Sequence, residues 1–326
     1  MQKRRWTIIV AAVLVAGVAV TAALAANSRS TAGKTFYFIP KDTLNPYEVI
    51  ADRGGKIALT KLGHKQVVSS GTEDTAAAQQ PAIQAAIQAH AAGIVIAGND
   101  PQAVCPALNQ AKAQGTKVIA FDSDVNCRQL FINQADTPTI GRSQIKLLGK
   151  LMKYKGEFAI LSAASTATNQ NAWIKYMKLV KIYYGNDNPA QSRQATVSML
   201  QAYPNLKGIE SPTTVGISSA AQYLSTSKYK GKVVLTGLGL PSQMKKYVHD
   251  KTVTAFQLWN PEDLGYLAGY AIAAFADGKV TGKVGQTFTA GKLGKYTIIN
   301  GPDKRPQVIL GPPFTFTIKN VDKFKF

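Results

Sequence analysis

The sequence predicts an α/β protein of two doubly wound lobes, each a parallel sheet flanked by helices, joined by hinge strands. Three observations predict it. From Lys34 onward, short apolar runs alternate with segments of helical period. The runs number ten, more than one ordinary sheet holds. The chain, at 326 residues, is also longer than a single hydrophobic core usually serves.

The strand candidates, in order, are TFYFIP, HKQVVSS, GIVIAG, TKVIAFD and LFINQ, then GEFAILSA, KLVKIYYG, LKGIES, KVVLTGLG and TVTAFQLWN. Helical period fills the gaps: TAAAQQPAIQAAIQAHAAG, PTIGRSQIKLLGKLMKYKG and PEDLGYLAGYAIAAFADG all space their apolar residues by three and four. Composition shifts after about Gln134, where ADTPTIG opens a helix, and again near Asn260, where WNPEDLG does. Taking these as hinge crossings, we expect a first lobe of 34–135 plus about 261–288, and a second of 136–260 plus about 289–326. The last stretch, with its GPDKRP and LGPPF turns, reads as short extended pieces.

Ahead of the lobes, Lys3, Arg4 and Arg5 precede the apolar run WTIIVAAVLVAGVAVTAALAA, which ends in the small-residue pattern Ala23-Leu24-Ala25. That layout predicts a secretory signal peptide over 1–26 and delivery to the periplasm or the outer face of the cytoplasmic membrane. An uncleaved anchor is the alternative, since about 20 apolar residues span a bilayer. Export makes the compartment oxidising, and Cys105 and Cys127 are the two cysteines there to use it. They lie on either side of one strand and can meet, as a disulfide in the preferred reading or as two buried thiols. The net charge of +20 becomes +17 once Lys3, Arg4 and Arg5 are removed. Its lysines are scattered and form no run of five, so the charge reads as a surface property, and no nucleic-acid partner is expected.

In parallel α/β sheets the ligand crevice lies beyond the carboxyl ends of the strands. Those junctions carry Lys41 and Asp42, Asn99 and Asp100, and Asp122 to Asp124 in the first set. In the second they carry Thr166 to Gln170, Asn186 and Asp187, Ser211 to Thr214, Gly239 to Pro241, and Trp259 with Asn260. A cation such as Lys41 and a carboxylate such as Asp122, facing one cleft, can bond vicinal hydroxyls with charge-assisted strength; a structural ion pair is the competing reading. Asn169 and Gln170 face the same way, although Thr168 or Asn169 would also serve as a helix N-cap. Trp259 suits either the core or the apolar face of a sugar.

Enzyme signatures are absent: there is no GxSxG, HExxH or P-loop, and the three histidines stand at unrelated positions. Asp122 with Asp124 lacks the further oxygen ligands that a calcium site needs. We therefore expect no enzyme activity, no metal and no cofactor.

Ordered motifs at these junctions carry a resemblance. They are IPK at 39–41, NPY at 45–47, FDSD at 121–124, FINQ at 131–134, TATNQNAW at 166–173, LQAYPNLKGI at 200–209, SPTTVGI at 211–217, TGLGLPSQM at 236–244, LWNPEDLGYLAGYA at 258–271 and LGPPFTFT at 310–317. From about Thr35 to the C-terminus the chain resembles the type I periplasmic sugar-binding components of ABC transporters, most closely the rhamnose-binding proteins and relatives that bind autoinducer-2.

The resemblance implies a monomeric receptor that delivers a monosaccharide to a membrane permease. It further implies ligand contacts from Lys41, Asp122, Asn169, Gln170, Pro212 and Thr214, and it makes Cys105 and Cys127 the disulfide found in many relatives. Where autoinducer-2 binders carry aspartates, this chain has Asn169 and Thr213, a departure that favours a neutral deoxyhexose such as rhamnose over the autoinducer reading. After Trp173 about a dozen family residues are missing, because KYMK runs straight into LVKIYYG. The helix bearing Asn169 should therefore be short.

Overall fold

The computed structural model describes residues 33–177 and 181–326. The expected signal segment at 1–26 lies outside the described residues, as do residues 178–180. Among the described residues, no helix is long and apolar enough to cross a membrane.

All ten predicted strands form. β1 (Thr35–Ile39), β2 (Lys65–Val68), β3 (Gly93–Ile96), β4 (Lys117–Phe121) and β5 (Leu130–Asn133) make a parallel sheet in the order β2-β1-β3-β4-β5. β6 (Glu157–Ser162), β7 (Ile182–Tyr184), β8 (Leu206–Ser211) and β9 (Val234–Gly237) make a second, β7-β6-β8-β9, also parallel. β10 (Ala255–Leu258) continues this second sheet through a parallel bridge from Leu238 to Gln257. In each sheet the strand order reverses beside the first strand, between β1 and β3 and between β6 and β8. The loops leaving those strands diverge to opposite faces and open a crevice.

Nine helices are described: α1 (Pro46–Lys61), α2 (Ala76–Gln88), α3 (Cys105–Ala113), α4 (Thr137–Leu151), α5 (Thr168–Ile174), α6 (Pro189–Ala202), α7 (Thr214–Thr226), α8 (Pro241–His249) and α9 (Pro261–Ala276). Side chains of Asn45, Thr75, Asp136, Asn188 and Asn260 accept first-turn N–H groups of α1, α2, α4, α6 and α9. α1 and α9 pack backbone to backbone because a Cβ at Gly265 would sit on the carbonyl oxygen of Ala51, and one at Gly54 on that of Glu262. Phe36, Phe38, Ile119 and Phe121 fill the core of the first sheet; Ile160, Ile209, Leu235 and Met244 fill that of the second. Cys105 and Cys127 form the disulfide, with Cα atoms 5.6 Å apart, tying the start of α3 to the loop after β4.

The C-terminal stretch corrects one expectation. β11 (Thr287–Thr289) and β12 (Lys295–Thr297) form a hairpin, but β13 (Ile299–Asn300) and β14 (Pro306–Ile309) join the first sheet, β14 running parallel to β5. The expected boundary put everything after about 289 in the second lobe. The outer edge of β5 would otherwise leave a row of open N–H and C=O groups, and Gln307 to Ile309 satisfy them. The chain then crosses back over Leu310 to Pro313, and β15 (Phe314–Thr317) pairs antiparallel with β10. Three crossings thus link the sheets, as many as the expected segments require, with the third at 310–313 instead of near 289.

Candidate functional site

The end of β1 is fixed before any ligand arrives. Gln79, on α2, donates to the carbonyls of Pro40 (2.9 Å) and Ala97 (2.7 Å), and Asn99 Nδ2 donates to that of Lys41 (2.8 Å). These bonds lock the carboxyl ends of β1 and β3 together and aim Lys41, 2% exposed, into the crevice. At the end of β4, Asp122 adopts φ +58°, with the Ser123 N–H closing a tight turn onto the Phe121 carbonyl at 2.6 Å. Aspartate is among the few non-glycine residues that occupy this left-handed region readily, and such strain gathers where a side chain must be aimed.

Across the crevice, α5 starts at Thr168 and ends at Ile174, seven residues as the missing segment predicted. Its N-cap position falls on Ala167, which has no capping side chain, so neither Thr168 nor Asn169 caps the helix. Asn169 is free to work across the gap: its Oδ1 accepts from Lys41 Nζ at 3.1 Å and its Nδ2 donates to Asp122 Oδ2 at 2.9 Å. The other Asp122 oxygen accepts from the Tyr47 hydroxyl at 2.7 Å, and that hydroxyl accepts from Trp259 Nε1, also at 2.7 Å. Trp259 lies edge-on to Tyr47 and Trp173, at 6.3 and 5.9 Å between ring centres. A continuous polar chain therefore runs from Lys41 through Asn169, Asp122 and Tyr47 to Trp259, with an aromatic wall behind it.

All seven ligand residues expected from the sequence line this one cavity: Lys41, Asp122, Asn169, Gln170, Pro212, Thr214 and Trp259. So do Tyr47, Glu48, Trp173 and Asp187, to which the sequence assigned no role, and Thr213, which it read as a departure from the autoinducer-2 binders. Tyr47 lies in NPY, Trp173 in TATNQNAW and Asp187 just past the end of β7, so their position was readable even though their function was not. Glu48 gave no signal, being one residue past the NPY motif on a helix face. Thr213 does not cap α7, because its hydroxyl donates to Asp187. Asp124 is committed to Arg128 and Arg305.

Burial dominates the electrostatics. It works against the Lys41 ammonium, yet Asp74, Asp122, Asp187 and Glu48 outweigh it and raise the pKa, so the charge is secure. Burial raises Asp122, opposed by Lys41 and by the hydrogen bonds from Tyr47 and Asn169. Burial, followed by the charge of Asp122, pushes Glu48 well above the carboxylate range, which favours its neutral acid. Asp187 rises to about 7 through burial and the facing Asp74. Glu48 Oε2 and Gln170 Oε1 are buried with no protein partner, leaving hydrogen-bonding capacity open to a ligand. The void among these side chains is about 30 Å³, on the order of two waters. While the Lys41–Asn169–Asp122 bonds stand, a space of that size holds water but not a sugar.

The family model described as periplasmic binding protein domain matches residues 36–280, most of the chain. The chain belongs to that family. It is a solute-binding protein, not an enzyme.

A solved ABC transporter solute-binding protein from Clostridium phytofermentas, with bound L-rhamnose, is 38% identical, with a TM-score of 0.87, over 90% of this chain and 98% of that one. A sugar ABC transporter structure from Actinomyces odontolyticus is 44% identical, with a TM-score of 0.71, over 92% and 100% of the two chains. The D-apiose import binding protein of Actinobacillus succinogenes is 25% identical over 177 residues, 51% of this chain and 57% of that relative. The chain thus spans little more than half the length of this curated relative.

Proposed function

We propose that this periplasmic binding protein is the extracytoplasmic sugar receptor of an ABC transporter, that its ligand is L-rhamnose, and that it delivers the sugar to a membrane permease. The observation that carries the proposal is the polar chain across the crevice. Lys41 and Asp122 come from the first sheet, Asn169, Gln170, Pro212 and Thr214 from the second, so neither side binds well alone. One cation, one carboxylate and two amides suit adjacent hydroxyls, and the aromatic edges of Trp259 and Trp173 suit the apolar face and methyl group of a deoxyhexose. The likeness to a rhamnose-bound protein at 38% identity, across nearly the whole of both chains, supports that sugar.

On this reading the two sheets and their helices are lobes that hinge at the three crossings, and the ligand stabilises the closed form by binding it better than the open one. The first lobe comprises about 34–135 and 261–309. A thermal-shift panel tests the ligand, because a compound that binds only the folded state raises its melting temperature. L-rhamnose is expected to raise it. A rise with autoinducer-2 and none with rhamnose would overturn the assignment and the argument from Asn169 and Thr213.

A further inference from the structure

Beside the cleft lies a second and far larger cavity, about 370 Å³, between α5 and the β5/β14 edge of the first sheet. Asp122, Asn169 and Trp173 line both spaces. The hydrogen bond from Asn169 Nδ2 to Asp122 Oδ2 stands where the two meet, and it is one of the bonds a bound sugar must exchange. A ligand that opens the cleft therefore opens a way into this cavity.

Its walls indicate what fits. Three cations line it, Arg128, Arg305 and Lys175, against three carboxylates, Asp122, Asp124 and Asp303. The arginines are already engaged: Arg128 grips both Asp124 oxygens at 2.9 and 3.1 Å, and Arg305 reaches the same carboxylate at 2.8 Å. With cations and carboxylates equal in number and both arginines paired, the cavity offers little to an anion and suits a neutral guest. Aromatic surface comes from Phe131, Trp173 and Tyr176, and amide groups from Asn133 and Gln307, which bond to each other at 3.1 Å. Apolar rings with a few fixed polar groups, in a volume of 300 to 1,000 Å³, are what small-ligand sites are made of. The shortness of α5 keeps the space open: α4 holds the helix at Gly141, where a Cβ would strike the Trp173 carbonyl, and the helix stops at Ile174.

We propose that the receptor takes its sugar as the terminal unit of a larger neutral saccharide, with the second ring in this cavity. The inference rests on the rhamnose reading and extends it. Calorimetric titration of the purified protein with L-rhamnose and with α-L-rhamnosyl-D-glucoses of different linkage tests it.

At least one disaccharide is expected to bind at least about tenfold more tightly than rhamnose. Ala172→Phe, which fills the cavity from α5, should abolish that gain and leave rhamnose affinity unchanged. If A172F melts early, Tyr176→Ala, which removes one aromatic wall, should shrink the same difference. Rhamnose binding with no tighter disaccharide, or a gain that survives both variants, overturns this inference alone. Binding of neither sugar overturns the rhamnose reading and this inference with it.

Discussion

Replacing Asp122 by asparagine isolates the charge at the centre of the cleft. Asparagine is nearly isosteric and accepts φ +58° as readily as aspartate, so the tight turn onto Phe121 survives. Alanine would be a poorer probe: it costs about 1–2 kcal/mol in the left-handed region and strips the buried Tyr47 hydroxyl of its acceptor, mixing stability with binding.

In the structure both Asp122 oxygens already accept, from Tyr47 and Asn169, and when a sugar enters at least one must accept from a hydroxyl instead. A hydrogen bond to a charged group is worth roughly 1.5–3 kcal/mol, and each 1.4 kcal/mol is tenfold in affinity. Asp122→Asn should therefore raise the Kd for L-rhamnose by roughly 10- to 150-fold. Calorimetric titration near pH 7 reads the change, and a thermal melt checks the fold. A Kd within about twofold of wild type, in a protein that melts normally, would refute the reasoning, because Asp122 would then bond only to protein.

The remaining predictions are shorter. Trp259→Phe loses the Nε1 bond to Tyr47 and part of the buried aromatic wall, and should weaken rhamnose binding about tenfold by titration and lower the melting temperature as well. Cys105→Ser with Cys127→Ser opens a link 22 residues apart in sequence and should cost about 3 kcal/mol in denaturant unfolding; an unchanged midpoint would mean the link does not restrict the unfolded chain. Gly265→Ala drives a Cβ into the Ala51 carbonyl and should cost at least about 1–3 kcal/mol by the same assay.

Asp52, on α1, is raised to about 7 by burial alone, so the folded state holds its proton more tightly than the unfolded state and stability falls as pH rises from about 4 to 7. Asp187 acts with the same sign. Asp52→Asn should consequently raise the melting temperature at pH 8 and leave it nearly unchanged at the low-pH end of that window. An equal gain at both ends would rule out ionisation as the cause.

Most of the fold was legible in the sequence because each βα unit writes its own signal. An apolar strand such as GIVIAG, a capping residue such as Asp136, and a proline at the first helical turn need only neighbours in the chain to be read. β14 was not legible. Its sequence, PQVI, is too short to mark which sheet it joins; the open edge of β5 decides that, and the edge exists only once the sheet has formed. The boundary at 289 failed for that reason, while the crossings near 135 and 260 follow from breaks that can be read in the sequence.

The site divides along the same line. Lys41, Asp122 and Trp259 could be picked out because each ends a parallel strand, where topology fixes the direction a side chain faces before any tertiary contact is known. Glu48 could not, since it lies on the first turn of α1 and only the packing of α1 against α9 turns it toward Asp122. Yet Glu48 alters the chemistry most, by placing a second acid beside Asp122 with burial driving its proton on. Lys41 keeps its charge because Asp74, Asp122 and Asp187 face it, and Glu48 stays neutral because burial, and after it the charge of Asp122, holds its proton on. Asp122→Asn therefore reaches beyond one hydrogen bond: it lowers the pKa of Glu48, loosens the hold on Lys41, and shifts the pH dependence of sugar binding as well as its strength.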